Sequence, residues 1–388
     1  MAARVRWSAF SMVVLGWVPV SVGCTVNEVG SGEGDGSSEG SSGMVDGTSS
    51  AMSTTGSGAT GQSSLDETAG WTDDGPREDL GLDLPPLGPV DCRDEPPPGA
   101  QVAPPLPTYE GVCPELMPGL NAIDSSGNLR EFLLIVPEDL DPTERLPVIF
   151  LWHWLGGDAQ GFLEQGDVQN AVDQFRFAAV IPESDSSLLF RWPFTILDPE
   201  SRVEEEYRFF DDMLACVGEQ LNVEPNCVSS AGVSAGALWT SQLASGRGEH
   251  LSSFMSLSGG TGGAVVRPWG GTSHAMPAMV LWGGDMDFCI AIDFSNTSQI
   301  MEQDLSDEGH FILECIHNCS HSAPPFEVAE GETAFAPLWS FVFSHPYWLA
   351  PGDSPYLATG VPPEMPQWCG IGMGSATERV GECGPDQC

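Results

Sequence analysis

Residues 228–236 read Val-Ser-Ser-Ala-Gly-Val-Ser-Ala-Gly and contain Gly-x-Ser-x-Gly centred on Ser234. A strand-forming run precedes this segment and a helix-forming run follows it. In that order the motif describes a sharp strand-to-helix turn that lifts one serine into solvent. Gly232 and Gly236 suit such a turn, because it forces unusual dihedrals and brings backbone segments close together. A strand that must lead straight into a helix narrows the architecture to layered α/β arrangements.

The flanking runs extend this pattern. Leu129–Val136, Pro147–His153, Phe177–Ile181, Cys227–Ala231, Leu251–Leu257, Ala278–Trp282 and His310–Ile316 are short and apolar, as strands buried on both faces are. Residues 156–170 open a loop or helix. Val203, Tyr207, Phe210, Leu214, Val217 and Leu221 recur at helical spacing over 203–222, and Glu204 to Glu206 favour its N-terminal end. Ala235–Leu243 reads as the helix leaving the serine turn, and residues 335–343 as a closing helix. Strands alternating with helices predict a mostly parallel central sheet with helices on both faces. The Pro- and Gly-rich tail, 346–388, is expected to wrap the surface under disulfide control.

The chain ends carry a different message. Arg4 and Arg6 precede a mostly apolar stretch, Phe10–Val22, which ends in Val-Gly-Cys at 22–24. Residues 1–23 are read as an export signal of lipoprotein type, with Cys24 as the lipidation site. Ser21 stands where such processing boxes usually hold leucine. Residues 24–90 are rich in Gly and Ser, then in Asp, Glu and Pro, a composition that cannot bury enough apolar surface to fold. They are read as a tether, and residues 91–388 as one catalytic-size domain with a Cys-rich tail.

The formal net charge is −42, from 55 acidic and 13 basic residues, and there is no lysine. Such a surface excludes the basic clusters that phosphate recognition requires, so a nucleic-acid partner is not expected. Membrane contact is expected only through a lipid anchor. Of the 11 cysteines, removing Cys24 leaves an even set, enough for five disulfides and an oxidising, exported location. Connectivity is open at this stage; Cys216–Cys227 and Cys315–Cys319 are near neighbours in sequence. Cys315, His317, Cys319 and His321 alternate, but their spacing is unlike that of zinc sites, and neither a metal nor an organic cofactor is expected.

Acyl transfer needs a nucleophile, a base and an orienting acid, and chain order Ser–Asp–His suits the turn at Ser234. The acid is expected after the strand 278–282, in Gly283-Gly-Asp-Met-Asp287. Asp287 is preferred, Asp285 is the alternative, and Asp293 is a more distant third. The base is expected after the strand ending at Ile316. His321 is preferred and His317 is the alternative, because His310 lies at the wrong end of that strand. His153 and His345 are read as structural. Backbone N–H groups of Ala235 and of the His153-Trp-Leu-Gly-Gly157 loop, at Trp154 and Leu155, are the expected oxyanion donors.

Four segments carry a family likeness: Pro147-Val-Ile-Phe-Leu-Trp-His153, Ala231-Gly-Val-Ser-Ala-Gly236, Gly284-Asp-Met-Asp287 and Cys319-Ser-His321. Together they resemble the alpha/beta-hydrolase superfamily, and most closely its polyhydroxybutyrate depolymerase and feruloyl or acetylxylan esterase-like group. The resemblance implies Ser234 as nucleophile, Asp287 as acid and an ester, possibly polymeric, as substrate. Two positions depart from the pattern. Trp154 replaces the glycine that follows the family's histidine at 153, and Ser320 replaces the glycine before the final histidine. A peptidase or acyltransferase on the same fold is a rival reading, and a non-catalytic surface-binding lipoprotein is a rival from another class.

Overall fold

The computed structural model of the chain describes residues 88–185 and 190–384. The expected leader, Cys24 and nearly all of the expected tether lie outside the described residues. The described chain forms β1 (Gly119–Ser125), β2 (Asn128–Ile135), β3 (Leu146–Trp152), α1 (Ala159–Gln165), α2 (Val168–Phe175), β4 (Ala178–Pro182) and α3 (Glu200–Gln220). These are followed by β5 (Val223–Val233), α4 (Ala235–Arg247), β6 (Ser253–Leu257), β7 (Ala278–Trp282), β8 (Phe288–Cys289) and β9 (Ile292–Asp293). The last elements are α5 (Phe294–Asp307), β10 (Ile312–Ile316), α6 (Ala336–Phe343), α7 (Pro355–Thr359) and β11 (Cys369–Ile371).

Nine strands make one sheet in the order β1-β2-β4-β3-β5-β6-β7-β10-β11. The strands from β4 to β10 pair in parallel, as the alternating strand and helix runs predict. The edges are antiparallel: β1 and β2 close one side, and β11 pairs with β10 on the other. The sequence reading did not contain β1, α5 or β11.

Every residue of β3, β4 and β7 is buried. Alternate side chains of β3 enter different cores. Val148, Phe150 and Trp152 join a cluster with Phe210, Leu214 and Leu238 of α3 and α4. Ile149 and Leu151 join a second cluster with Phe162, Val172 and Phe341 of α1, α2 and α6. A strand with period two can be apolar throughout only if both its faces are covered, and these two helical layers cover them.

The same layering bears on the disulfides, which among the described residues are Cys92–Cys227, Cys113–Cys216, Cys315–Cys369 and Cys319–Cys383. Neither pair of sequence neighbours forms. Cys216 belongs to the first core and Cys227 to the second, so the sheet lies between them. Cys315 sits on β10 directly opposite Cys369 on β11. The tail therefore does more than wrap the surface: among the described residues it supplies an edge strand and two cross-links.

Candidate active site

Strand β5 runs into Ser234, and α4 starts at the next residue. Ser234 has φ 56° and ψ −119°, outside the conformations that L-residues favour. Its neighbours make this turn possible. A Cβ on Gly236 would overlap the carbonyl oxygen of Trp152, and one on Gly232 would overlap the carbonyl of Gly236. The Ser234 N–H is held by Leu257 O at 3.0 Å, which ties the turn to the end of β6.

Three loops at the same end of the sheet converge on this serine. The loop after β10 brings His321, whose Nε2 lies 2.8 Å from Ser234 Oγ. The other ring nitrogen, Nδ1, is 2.6 Å from Asp287 Oδ1. The loop after β7 brings Asp287, which is fully buried. Its second oxygen, Oδ2, accepts from Ser258 Oγ at 2.8 Å and from the Gly283 N–H at 2.7 Å. Asp287 thus accepts hydrogen bonds on both oxygens, from three partners, which fixes the orientation of its carboxylate. The ring of Phe294, at the start of α5, stacks on that of His321 with centroids 4.1 Å apart.

The other candidates fall elsewhere. Asp285 is exposed, two residues before Asp287 on a turn that points it outward. Asp293 caps α5, accepting from Asn296 N at 3.0 Å. His317 is buried, and its Nδ1 accepts from Cys319 N at 3.2 Å, so it shapes the loop that carries His321. Burial pushes the His317 imidazole down to about 4, which keeps it neutral near pH 7. His310 and His345 donate Nδ1–H to Met276 O and Phe341 O. His153 is buried and donates to Trp154 O at 2.9 Å, in keeping with a structural part. Cys315 and Cys319 are held in disulfides, so neither offers a thiolate to a metal.

The backbone expected to supply the oxyanion donors lies at the end of β3 and the start of α4. Ala235 opens α4, so its N–H is among the donors that no carbonyl of that helix takes. The end of β3 passes so close to Gly236 that the backbone at Trp154 and Leu155 follows immediately beside this helix start. Two bonds fix that loop: Trp192 Nε1 donates to His153 O at 2.9 Å, and Gly157 N donates to Trp154 O at 3.0 Å. Trp154 itself packs against Phe162.

Ser258, Phe294 and the Gly283 N–H were absent from the sequence reading. Ser258 did leave a signal, since Ser-Gly-Gly at 258–260 follows the apolar run of β6 and marks a loop at the end of the sheet that carries Ser234. Phe294 left none, because α5 has too few apolar residues to announce a helix.

No family model matches the chain, and no curated protein matches it. Solved structures do. One described as native pOPH shares 16% identity, covers 67% of this chain and 97% of its own, and gives a TM-score of 0.55. One described as native sOPH shares 17% identity over 70% of this chain and 99% of its own, with a TM-score of 0.52. A ferulic acid esterase structure shares 13% identity, covering 58% of this chain and 96% of its own, at a TM-score of 0.45. At these identities the likeness is one of fold, and the described chain has the alpha/beta-hydrolase fold.

Proposed function

We propose that this protein is an exported serine esterase that cleaves carboxylic esters through an acyl-enzyme. The observation that carries the reading is the hydrogen-bonded series Asp287–His321–Ser234, with Ser234 raised on a strained strand-to-helix turn. A serine hydroxyl is a weak nucleophile until a base takes its proton. His321 Nε2 is at the right distance to do so, and Asp287 holds Nδ1–H so that Nε2 is free to accept.

In the first half-reaction Ser234 Oγ bonds to the ester carbonyl carbon as its proton passes to His321. The N–H of Ala235 and those of Trp154 and Leu155 are the proposed donors to the oxyanion. Collapse of the tetrahedral species breaks the bond to the alcohol, which leaves with the proton held by His321. In the second half-reaction water, deprotonated by His321, attacks the acyl-enzyme and frees the acid and Ser234.

The substrate would be a polyester or an acyl ester borne on a polysaccharide. Alternate residues of the acid loop turn outward while Asp287 turns in: Met286, Phe288 and Ile290 are 73, 56 and 62% exposed. That apolar rim suits an extended, weakly polar substrate better than a small charged one. Four disulfides support an oxidising location. In this reading residues 1–23 are removed, Cys24 carries lipid, and residues 24–90 tether the hydrolase domain 91–388.

The test is a fluorophosphonate probe on the purified, oxidised protein, with the adduct located by mass spectrometry. Labelling at Ser234 that disappears in His321→Ala is the expected result. Folded protein that takes no label would overturn the esterase reading.

A further inference from the structure

Two glutamates that ester cleavage does not use meet inside the fold, next to the strands that carry the acid and base loops. Glu302 of α5 is fully buried, and Glu314 of β10 is 2% exposed. Trp282, the last residue of β7, donates Nε1–H to Glu302 Oε1 at 3.2 Å. Glu302 Oε2 has no donor among the described residues. Glu314 alternates along β10 with Ile312 and Ile316, so it projects from the sheet face shared by Val280 and Trp282, the face over which Trp282 holds the Glu302 carboxyl. Glu314 in turn accepts from the N–H groups of Gly374 and Ala376, at 3.0 and 2.8 Å.

Two ionised carboxylates have only acceptors to offer each other. Left that way, a buried charge would lack a partner and would face a like charge. One proton resolves both difficulties, since a neutral carboxyl can donate to its neighbour. Glu314 already has two N–H donors suited to a carboxylate, whereas Glu302 has one, so the proton belongs on Glu302.

We propose that Glu302 and Glu314 share one proton between α5 and β10, carried by Glu302, and that this proton holds the C-terminal tail against the loops bearing Asp287 and His321. Glu302 and Glu314 are then positioning residues. The tail segment that Glu314 grips leads to Arg379, whose N–H donates to Ile316 O at 2.9 Å, and on to Cys383, bonded to Cys319. Cys319 is two residues before His321. Trp282, which grips the other carboxyl, is followed directly by the Gly283 N–H that holds Asp287.

Burial, and then the charge of Glu314, push the Glu302 carboxyl up to about 8. Glu314 is the charged group that acts on it from β10, and β7 offers the Trp282 N–H. On α5 itself, Asp304 responds to Asp307 and Glu308, and Glu308 meets His310 and Trp269. From the tail, Arg379 turns instead to Asn318. The folded state keeps a proton that the unfolded chain releases above the ordinary value of 4.5. The stability this contributes is therefore complete below that value and is lost as pH rises through about 8.

The test compares the wild-type protein with Glu302→Gln, which keeps the shape and can still donate. Thermal stability and hydrogen exchange at Gly374 and Ala376 are followed from about pH 6 to about pH 9.5. In the wild type, this group weakens the folding constant by about tenfold per pH unit up to its ionisation. Exchange at the two amides accelerates beyond its intrinsic pH dependence. Glu302→Gln removes both effects, whereas Glu302→Ala does not restore the tail. Identical pH dependence in wild type and Glu302→Gln would overturn the proposal. If Glu302→Gln fails to fold, carbon-13 titration of the wild-type glutamate carboxyls decides: one titrating near pH 8 supports the shared proton, and all titrating below about pH 7 refute it. None of these readouts involves ester turnover, so the proposal and the esterase reading fail separately.

Discussion

The ring of Phe294 lies 4.1 Å from that of His321 and within 25° of parallel to it. The stack restricts the imidazole to the plane in which one nitrogen meets Ser234 and the other meets Asp287. Phe294 is buried at the head of α5, and its N–H bonds to Asp287 O at 2.8 Å, so the helix start registers the acid loop as well. Truncation to Phe294→Ala should lower kcat by about 10- to 100-fold, with a smaller change in KM, because a misplaced base costs the transition state more than the bound ester. A Phe294→Leu variant should recover part of the loss. Steady-state kinetics on a soluble ester would measure both.

The two carboxylates of the acid loop make a paired prediction. Asp287 is buried with three hydrogen-bonding partners, and Asp285 is exposed. Asp287→Asn should reduce kcat by about 10⁴-fold, since an amide can donate to Nδ1 and so favour the wrong tautomer. Asp285→Asn should stay within about twofold of wild type, as an exposed turn residue does. Equal losses in the two variants would reverse the assignment.

Much of this layout was legible in the sequence, for physical reasons. Pro147–His153 and Ala278–Trp282 are continuous apolar runs, and only a strand covered on both faces accommodates them, so β3 and β7 declared themselves. Gly232 and Gly236 declared the turn because the backbone contacts at both positions exclude a Cβ. Chain order narrowed the acid to Asp285 or Asp287 and the base to His317 or His321, and the preferred members of each pair are the ones that meet Ser234. What remained hidden depends on partners distant in sequence. β11 has three residues and is a strand only because β10 pairs with it. Cys113 and Cys216 are 103 residues apart, and nothing local joins them. Nothing in the sequence marks Glu302 as buried until α5 is known to turn it inward.

The link between Cys319 and Cys383 anchors the loop of His321, and it closes 64 residues of chain. Replacing both cysteines by serine should cost about 4 kcal/mol through restored freedom of the unfolded chain. The same change should lower kcat as well, because the loop would lose its covalent anchor and keep weaker ties, such as Asn318 Nδ2 to Gly381 O and the stack of Phe294 on His321. Replacing Cys113 and Cys216 should destabilise by a similar amount without the kinetic effect, since that link joins α3 to the segment before β1. Urea midpoints and kinetics on the two double variants would separate the contributions.

Acid sensitivity should come from histidines that take no part in catalysis. His345 is completely buried between Phe341 O and Ser354 Oγ, and burial pushes its imidazole down to about 4. His274 and His317 are lowered to about 4 for the same reason. The unfolded chain binds protons at these positions below the ordinary value of 6.5, while the folded state does not. Each therefore contributes stability that is complete above 6.5 and is lost as pH falls through about 4. The expected signature is a set of imidazole resonances that stay neutral to about pH 4 in the folded protein, with thermal stability declining over the same window. A variant His345→Gln should flatten that decline, at the cost of a lower plateau at neutral pH, because glutamine can replace one of the two hydrogen bonds but carries no proton to bind. A decline as steep in the variant as in the wild type would show that other groups govern the acid limb.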